Sequence, residues 1–415
     1  MSGCLYAGNH PMSFWRPLLS PQPALARWDM AVRRAAVVLP QRARTAGDRI
    51  ERLLEATLGE GQFGPDHWRL SRARRLYYLL KPLIPRPLVV RSRRLQHEHT
   101  QRAFPLGWPI EDRYRRFLWD VIGELMLLEG RTEVPFIFFW PSGARYALVL
   151  THDVETIDGQ RFVPEVAELE ERLGFRSSFN FVAERYPLDH GLIADLVARG
   201  FEIGVHGRRH DGRELRSRRA FGAHVPRINR HLRRLGAVGF RSPLTHRNPE
   251  WMQSLDVEYD ASFFDSDPFE SMPGGTMSLW PFTIGRFLEL PYTLAQDFTL
   301  IDVLGERQPR LWLEKIGYVR RVYGMALLNS HPDYLRERCH RGVYLALLVE
   351  LRDDGSRWNA LPRDVARWWR KRSAAESVTS LPGARTGRVL KEHLGETEVL
   401  PNGGGPLDQP TEEEK

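Results

Sequence analysis

From Tyr146 onward, short apolar runs alternate with stretches of helical periodicity, and that alternation restricts the chain to parallel βα units. Ala147-Leu148-Val149-Leu150 has the continuity of a strand covered on both faces, as in a parallel sheet or barrel. Residues 177–182, 201–205, 238–240, 259–264, 288–290 and 324–328 read as further strands. Between them, 163–173, 192–199, 213–235, 249–255 and 311–321 read as helices, the first three stopped by Gly174, Gly200 and Gly236. Residues 343–351 and 362–372 read as closing helices. The expected class is α/β.

The flanks are less regular. Residues 1–47 mix Pro, Arg and Ala with little periodicity, which predicts a poorly ordered leader. Residues 48–140 read as a mainly helical N-terminal extension, with helical spacing over 48–58, 68–80 and 111–128 and a dense aromatic segment at 134–140. From 373 to 415, Gly, Pro, Thr and Glu dominate and predict a disordered tail. The segment 70–95 is basic and apolar with paired tyrosines, a composition that settles in membrane interfaces; the plainer expectation is a helix and arm packed on the main domain. The net charge of +8 is spread along the chain with no nucleic-acid motif, so no nucleic-acid partner is expected. Cys4 and Cys339 stand far apart, which argues against a disulfide framework or a cysteine zinc site. With no secretory signal and no long apolar span, the expected location is cytoplasmic, peripheral to a membrane at most.

Four strands end in polar groups: Asp153 and Glu155, then His206 and His210, then Arg241, then His331. The C-terminal ends of strands are where α/β folds place ligands and catalytic groups. In extended chain, residues two apart share a side, so Asp153 and Glu155 face one space and His152 the other, in a packed supporting role. Solvated charges at strand ends are the plain alternative for each acid. His206-Gly207-Arg208-Arg209-His210 sets two imidazoles across the start of a loop. Two imidazoles and one carboxylate form a familiar catalytic ligand set for zinc that leaves a position open for water. On that reading Glu155 joins His206 and His210, and Asp153 is left free as a base.

The order of these groups resembles the polysaccharide deacetylase family, the NodB-homology carbohydrate esterases. The resemblance covers residues 141–372. Thr151-His152-Asp153-Val154-Glu155 matches the acidic first motif, and His206 to His210 the metal-binding HxxxH. Phe240-Arg241-Ser242-Pro243, with Trp251 downstream, matches the arginine–proline motif. Tyr259-Asp260-Ala261-Ser262 matches a pocket-lining segment and Asn329-Ser330-His331-Pro332 the last histidine motif.

The resemblance implies a distorted (β/α) barrel that uses a divalent metal, Zn2+ first, to hydrolyse a non-peptide carbon–nitrogen bond, the N-acetyl group of a sugar or polysaccharide above all. It implies that Glu155, His206 and His210 hold the metal, that Asp153 deprotonates the attacking water, that Arg241 keeps Asp153 ionised, and that His331 protonates the departing amine. Asp260, Asp297 or Asp333 would orient His331. Pro243, Asp260 and Trp251 would line the substrate site, with Trp251 or Trp280 available to stack on a sugar. One departure is Val154, which separates two acids that most members have adjacent. That spacing resembles branches acting on small amides and imides, and it leaves open an exchange of roles in which Asp153 holds the metal. A catalytically silent relative that binds a glycan or lipid headgroup in the same cleft is the alternative from another class.

Overall fold

The computed structural model describes residues 4–64, 67–68, 86–391 and 400–401. Strand β1 (Glu133–Ile137) precedes the barrel. The barrel strands are β2 (Tyr146–Val154), β3 (Ser177–Phe181), β4 (Glu202–Val205), β5 (Gly239–Phe240), β6 (Tyr259–Asp260), β7 (Phe282–Ile284), β8 (Phe287–Glu289), β9 (Met325–Ser330) and β10 (Arg357–Asn359). β9 pairs with β2, and the sheet continues β2-β3-β4-β5-β6-β8-β7; every pairing is parallel except β7 with β8. β10 adds beside Tyr146, Ala147 and Leu148, where β3 has not yet begun. Past β8 the chain returns to β9, where the amides of Thr293 and Leu294 both donate to the Leu327 carbonyl at 3.1 Å. The curled sheet with helices outside it is a distorted (β/α) barrel, as expected.

β2 is buried at all nine positions, which explains why its apolar run shows no alternation. The helices begin where a side chain can accept the first free amides. Thr156 caps Ile157–Arg172, Asp189 caps His190–Ala198, and Ser217 caps Arg218–Leu235. The first therefore starts six residues before the expected 163, and the third starts at Arg218 instead of 213. Pro226 does not break that third helix: it lies on the exposed face, where the carbonyl it leaves unbonded can meet water. The strand expected over 259–264 is only Tyr259–Asp260, because the Asp260 carboxylate accepts the Ser262 amide at 3.2 Å and turns the chain.

Both ends of the chain correct the expectation of disorder. Within 1–47, Pro11–Trp15 and Leu25–Ala35 are helices. Trp15 and Trp28 are wholly buried. The Trp15 ring lies edge-on to Trp119 at 4.9 Å, and its Nε1 donates to the Leu118 carbonyl at 2.8 Å. At the other end, β11 (Thr386–Leu390) pairs antiparallel with β1 and is extended by β12 (Leu400–Pro401). Arg372, buried at the end of helix Pro362–Ala374, donates to the carbonyls of Phe14, Ile137 and Phe138 and ties the two ends together. These anchors are single aromatics and one arginine spaced irregularly among prolines, so no periodicity announces them. The rest of the expected tail, 392–399 and 402–415, lies outside the described residues. So does 69–85, which holds most of the helix expected at 68–80 and of the interfacial segment at 70–95; its remainder is the start of helix Arg86–Arg102. Among the described residues, no helix is long and apolar enough to cross a membrane.

The extension is fastened to the barrel by a buried ion pair. Arg247, on the loop after β5, donates Nε to Glu60 Oε2 at 2.7 Å and Nη2 to Oε1 at 2.5 Å, and the Gly275 amide adds a third bond at 2.8 Å. Burial alone would raise the Glu60 carboxyl, but the charge of Arg247, helped by His67, holds it at about 2. A depressed acid contributes stability above its unfolded value of about 4.3 and loses it as pH falls through the folded one. The Glu60→Ala variant leaves the Arg247 charge buried and unpaired, and we expect it to cost about 3–5 kcal/mol in denaturant unfolding at neutral pH. A loss below about 1 kcal/mol, the range of exposed pairs, would show that the clamp is idle.

Candidate active site

The residues singled out at the strand ends meet at the C-terminal mouth of the barrel, around a cavity of about 730 Å³ lined in part by Asp153, Glu155, His206, His210, Arg241 and His331. Asp153 leaves β2 pointing inward and is almost wholly buried. Its Oδ1 accepts Asn180 Nδ2 at 2.9 Å and Arg241 Nη1 at 3.3 Å, and its Oδ2 accepts Asn329 Nδ2 at 2.9 Å. Gly204 on the next strand permits this, since a Cβ there would collide with the Asn180 amide oxygen. Arg241 also donates to Thr151 Oγ1 at 2.8 Å and, through Nε, to the Ala261 carbonyl at 2.8 Å. Burial would raise the Asp153 carboxyl; the His206 ring and Arg241 hold it instead at about 2.

Glu155, two residues on, is partly exposed, with Oε1 at 3.0 Å from His210 Nε2 and 3.8 Å from His331 Nε2. His206 turns Nδ1 to the Arg241 carbonyl at 3.0 Å. Only an N–H can donate there, so Nδ1 carries the proton and the Nε2 lone pair is free toward the cavity. Burial lowers His206 to about 4, so the ring is neutral near pH 7, the form that binds metals. His210 reaches the site from a left-handed loop conformation, φ 56°, unusual for a side chain with a Cβ and common at functional positions.

One donor atom each from Glu155, His206 and His210 lie within 4.8 Å of one another, a spacing that fits a single cation. Glu155, not Asp153, completes this group, and Val154 between the two acids is wholly buried. His210 holds Glu155 well below the usual carboxylate range against the effect of burial, so its oxygens are ionised.

His331 Nδ1 lies 2.7 Å from Asp297 Oδ1, and its own amide donates to Asp297 Oδ2 at 2.9 Å. Burial would lower the imidazole, but Asp297 outweighs it, with help from Glu155, and lifts it to about 10. Of the three aspartates considered as its partner, Asp297 is the one in place. Asp333 instead accepts the Glu155 amide and the Thr156 hydroxyl, fixing the turn out of β2. Asp260 bonds to Ser262 Oγ at 2.8 Å.

Three substrate-lining expectations are corrected by this geometry. Asp260 is wholly buried beneath the cavity, committed to Ser262. Trp251 lies away from it, edge-on to Trp68 at 4.9 Å. Pro243 packs on Gly207, and the next residues, Leu244 and Thr245, line the wall in its place. Trp280 is core, its Nε1 donating to the Tyr323 carbonyl at 2.7 Å. His152 faces away from the cavity, between Glu170 at 2.6 Å and Ser330 at 2.8 Å, in the packed position its parity implies. Asn180 and Asn329 escaped notice as functional residues, although an amide near the end of a buried strand is itself a signal. Arg93, Arg185 and Glu270 also line the cavity from segments with no motif, and Arg209 does so from an unassigned position inside the HxxxH.

No family model and no curated protein sequence matches the chain. Among solved structures it is similar to a probable polysaccharide deacetylase from Pseudomonas aeruginosa PAO1, at 18% identity and a TM-score of 0.46, over 56% of this chain and 93% of that one. It is also similar to Puue allantoinase, at 18% identity and 0.43 over 55% and 92%. A third is the peptidoglycan deacetylase PdaC from Bacillus subtilis, at 12% identity and 0.38 over 57% and 96%.

Proposed function

We propose that this protein is a metal-dependent hydrolase of a non-peptide amide, removing an N-acyl group, acetyl first of all, from an amino sugar. The observation that carries the reading is the meeting of one ionised acid, Asp153, one protonated imidazole, His331, and the three-donor cluster of Glu155, His206 and His210 around a single cavity. The donor set suits Zn2+, which when bound there would polarise the acyl carbonyl and make water more acidic.

The chain's own groups do the rest. Asp153 accepts a proton from the attacking water; Asn180, Asn329 and Arg241 hold it in one orientation, and Arg241 keeps it anionic. As the carbon–nitrogen bond breaks, His331 donates its Nε2 proton to the departing nitrogen, which leaves as the amine while the acyl group leaves as carboxylate. Asp297 fixes the ring that does this and favours its protonated form.

The direct test is metal analysis of the purified protein with acetate release from N-acetylglucosamine oligomers, before and after chelation. A protein that retains no divalent cation, or that works equally well after chelation, contradicts the proposal. Asp297→Asn serves as a finer probe: kcat should drop about 10²-fold with KM and metal content unchanged, since the group held is an acid in the reaction and not a ligand. A rise in KM alone would place His331 in binding instead.

A further inference from the structure

Resting on that reading, we propose that the substrate carries an anionic group, a phosphate or a carboxylate, beside its amide, and that Arg93, Arg185 and Arg209 on the cavity wall recognise it.

Two of these arginines are brought together by the sheet. Strands β3 and β4 stay paired beyond their ends: the His206 amide donates to Phe181, Ala183 to Gly207 at 3.1 Å, and Glu184 to Arg208 at 2.6 Å. The next residues of the two chains, Arg185 and Arg209, therefore leave side by side at the rim, where both are exposed and both line the cavity. Their neighbour Arg208 shows what a satisfied arginine looks like here: it is buried and engages both oxygens of Glu184. Glu184 also takes His231 at 3.0 Å, so Arg209 has only a 3.8 Å approach to an acid already in use. Arg185 makes no hydrogen bond or ion pair among the described residues.

Arg93 arrives from a different part of the chain. Helix Arg86–Arg102 lies on residues 298–303 of the barrel, pinned by Arg94 Nε to the Asp302 carbonyl at 2.5 Å. The Arg93 guanidinium sits 5.3 Å above the Phe298 ring, half-buried, with no carboxylate within ion-pair distance among the described residues. The acids of the cavity do not neutralise this set. Asp153 is engaged with Arg241, Glu155 with His210, and Asp211 is 3.7 Å from Arg213. Burial pushes the Glu270 carboxyl up and outweighs the charge of Arg93, which it feels, and no ion pair between the two forms among the described residues. Arginines on the outer face of the barrel such as Arg199, Arg233 and Arg367 close on carboxylates at 2.5–2.9 Å. Guanidinium groups kept without acids on one concave surface are suited to bidentate contacts with phosphate or carboxylate oxygens.

The experiment compares an N-acetylhexosamine with its phosphate ester and with a carboxylate-bearing counterpart, on wild type, the Arg185→Ala/Arg209→Ala double variant and Arg93→Ala. The wild type should prefer an anionic substrate at least about tenfold in kcat/KM, through KM, with the two anionic arms showing which oxyacid is favoured. The variants should lose that preference, read as the ratio of kcat/KM for the anionic and the neutral sugar within each variant. Equal use of neutral and anionic sugars by wild type, or an anionic preference that survives in the variants, overturns the proposal. A second measurement separates it from the hydrolase reading: calorimetric titration of inorganic pyrophosphate into chelator-treated protein. Binding that the arginine variants abolish supports the anion site even if no amide is cleaved. Amide cleavage with no pyrophosphate binding and no anionic preference leaves the hydrolase and removes the site.

Discussion

His206→Ala should empty the cation site and end turnover together. The Nε2 of His206 is one of three converging donors, and its Nδ1 proton is bound by the Arg241 carbonyl, so under the proposed function the ring would serve both as ligand and as part of the wall that orients Arg241. Removing only an outer hydrogen-bond partner of a ligand typically costs about 10–100-fold in metal affinity, so losing the ligand itself should cost more than that. Metal analysis of the purified variant after dialysis reads the first effect and acetate release the second. Full occupancy in this variant would overturn the assignment of His206. His210→Ala is a second, independent check, because His210 stands on the loop and not at the strand end, and its removal leaves the bond to Arg241 intact.

Asp153→Asn should behave differently: cation retained, turnover reduced by about 10²–10⁴-fold, the range expected when a positioned general base is lost. The substitution keeps the volume of a side chain that is almost wholly buried, and it removes the charge that Arg241 faces at 3.3 Å. Some stability should go with it, since Arg241 is buried too and truncating one partner of such a pair costs about 3–5 kcal/mol. Activity is therefore to be measured on material shown to be folded. Turnover within about threefold of wild type would falsify the role of Asp153 as base, and loss of the cation would exchange its role with that of Glu155.

The barrel strands other than β7 and β10, and the six polar groups at or just past their ends, were legible in the chain because each depends on local pattern. A buried parallel strand must be apolar throughout, and its polar terminus must mark where burial ends. Helix starts were less legible. The caps Thr156 and Ser217 override the apolar periodicity, so those helices begin at Ile157 and Arg218. Asn180 was hidden for another reason: its strand mixes serines, phenylalanines and this one amide, and only the Asp153–Asn180 register reveals what it bonds. That Trp251, Asp260 and Pro243 stand off the cavity wall was not legible, because motif position does not say which way a side chain turns.

Read without its structure, the chain already specifies parallel βα units and the chemical types gathered at their strand ends, since strand period, burial and strand-end polarity are properties of neighbours in sequence. The barrel itself was implied by the family resemblance. Folding alone decides three further things. It selects Asp297 over Asp260 and Asp333 as the partner of His331, a choice across 34 residues. It sets Glu155 with the two histidines and Asp153 with Arg241, although the two acids differ in sequence by one intervening residue. It also packs Trp15 on Trp119, pairs β11 with β1, and lays Arg93 over Phe298 at the cavity wall. Each of these is a contact between segments distant along the chain. Its free energy comes from desolvation and geometry that exist only once the segments have met.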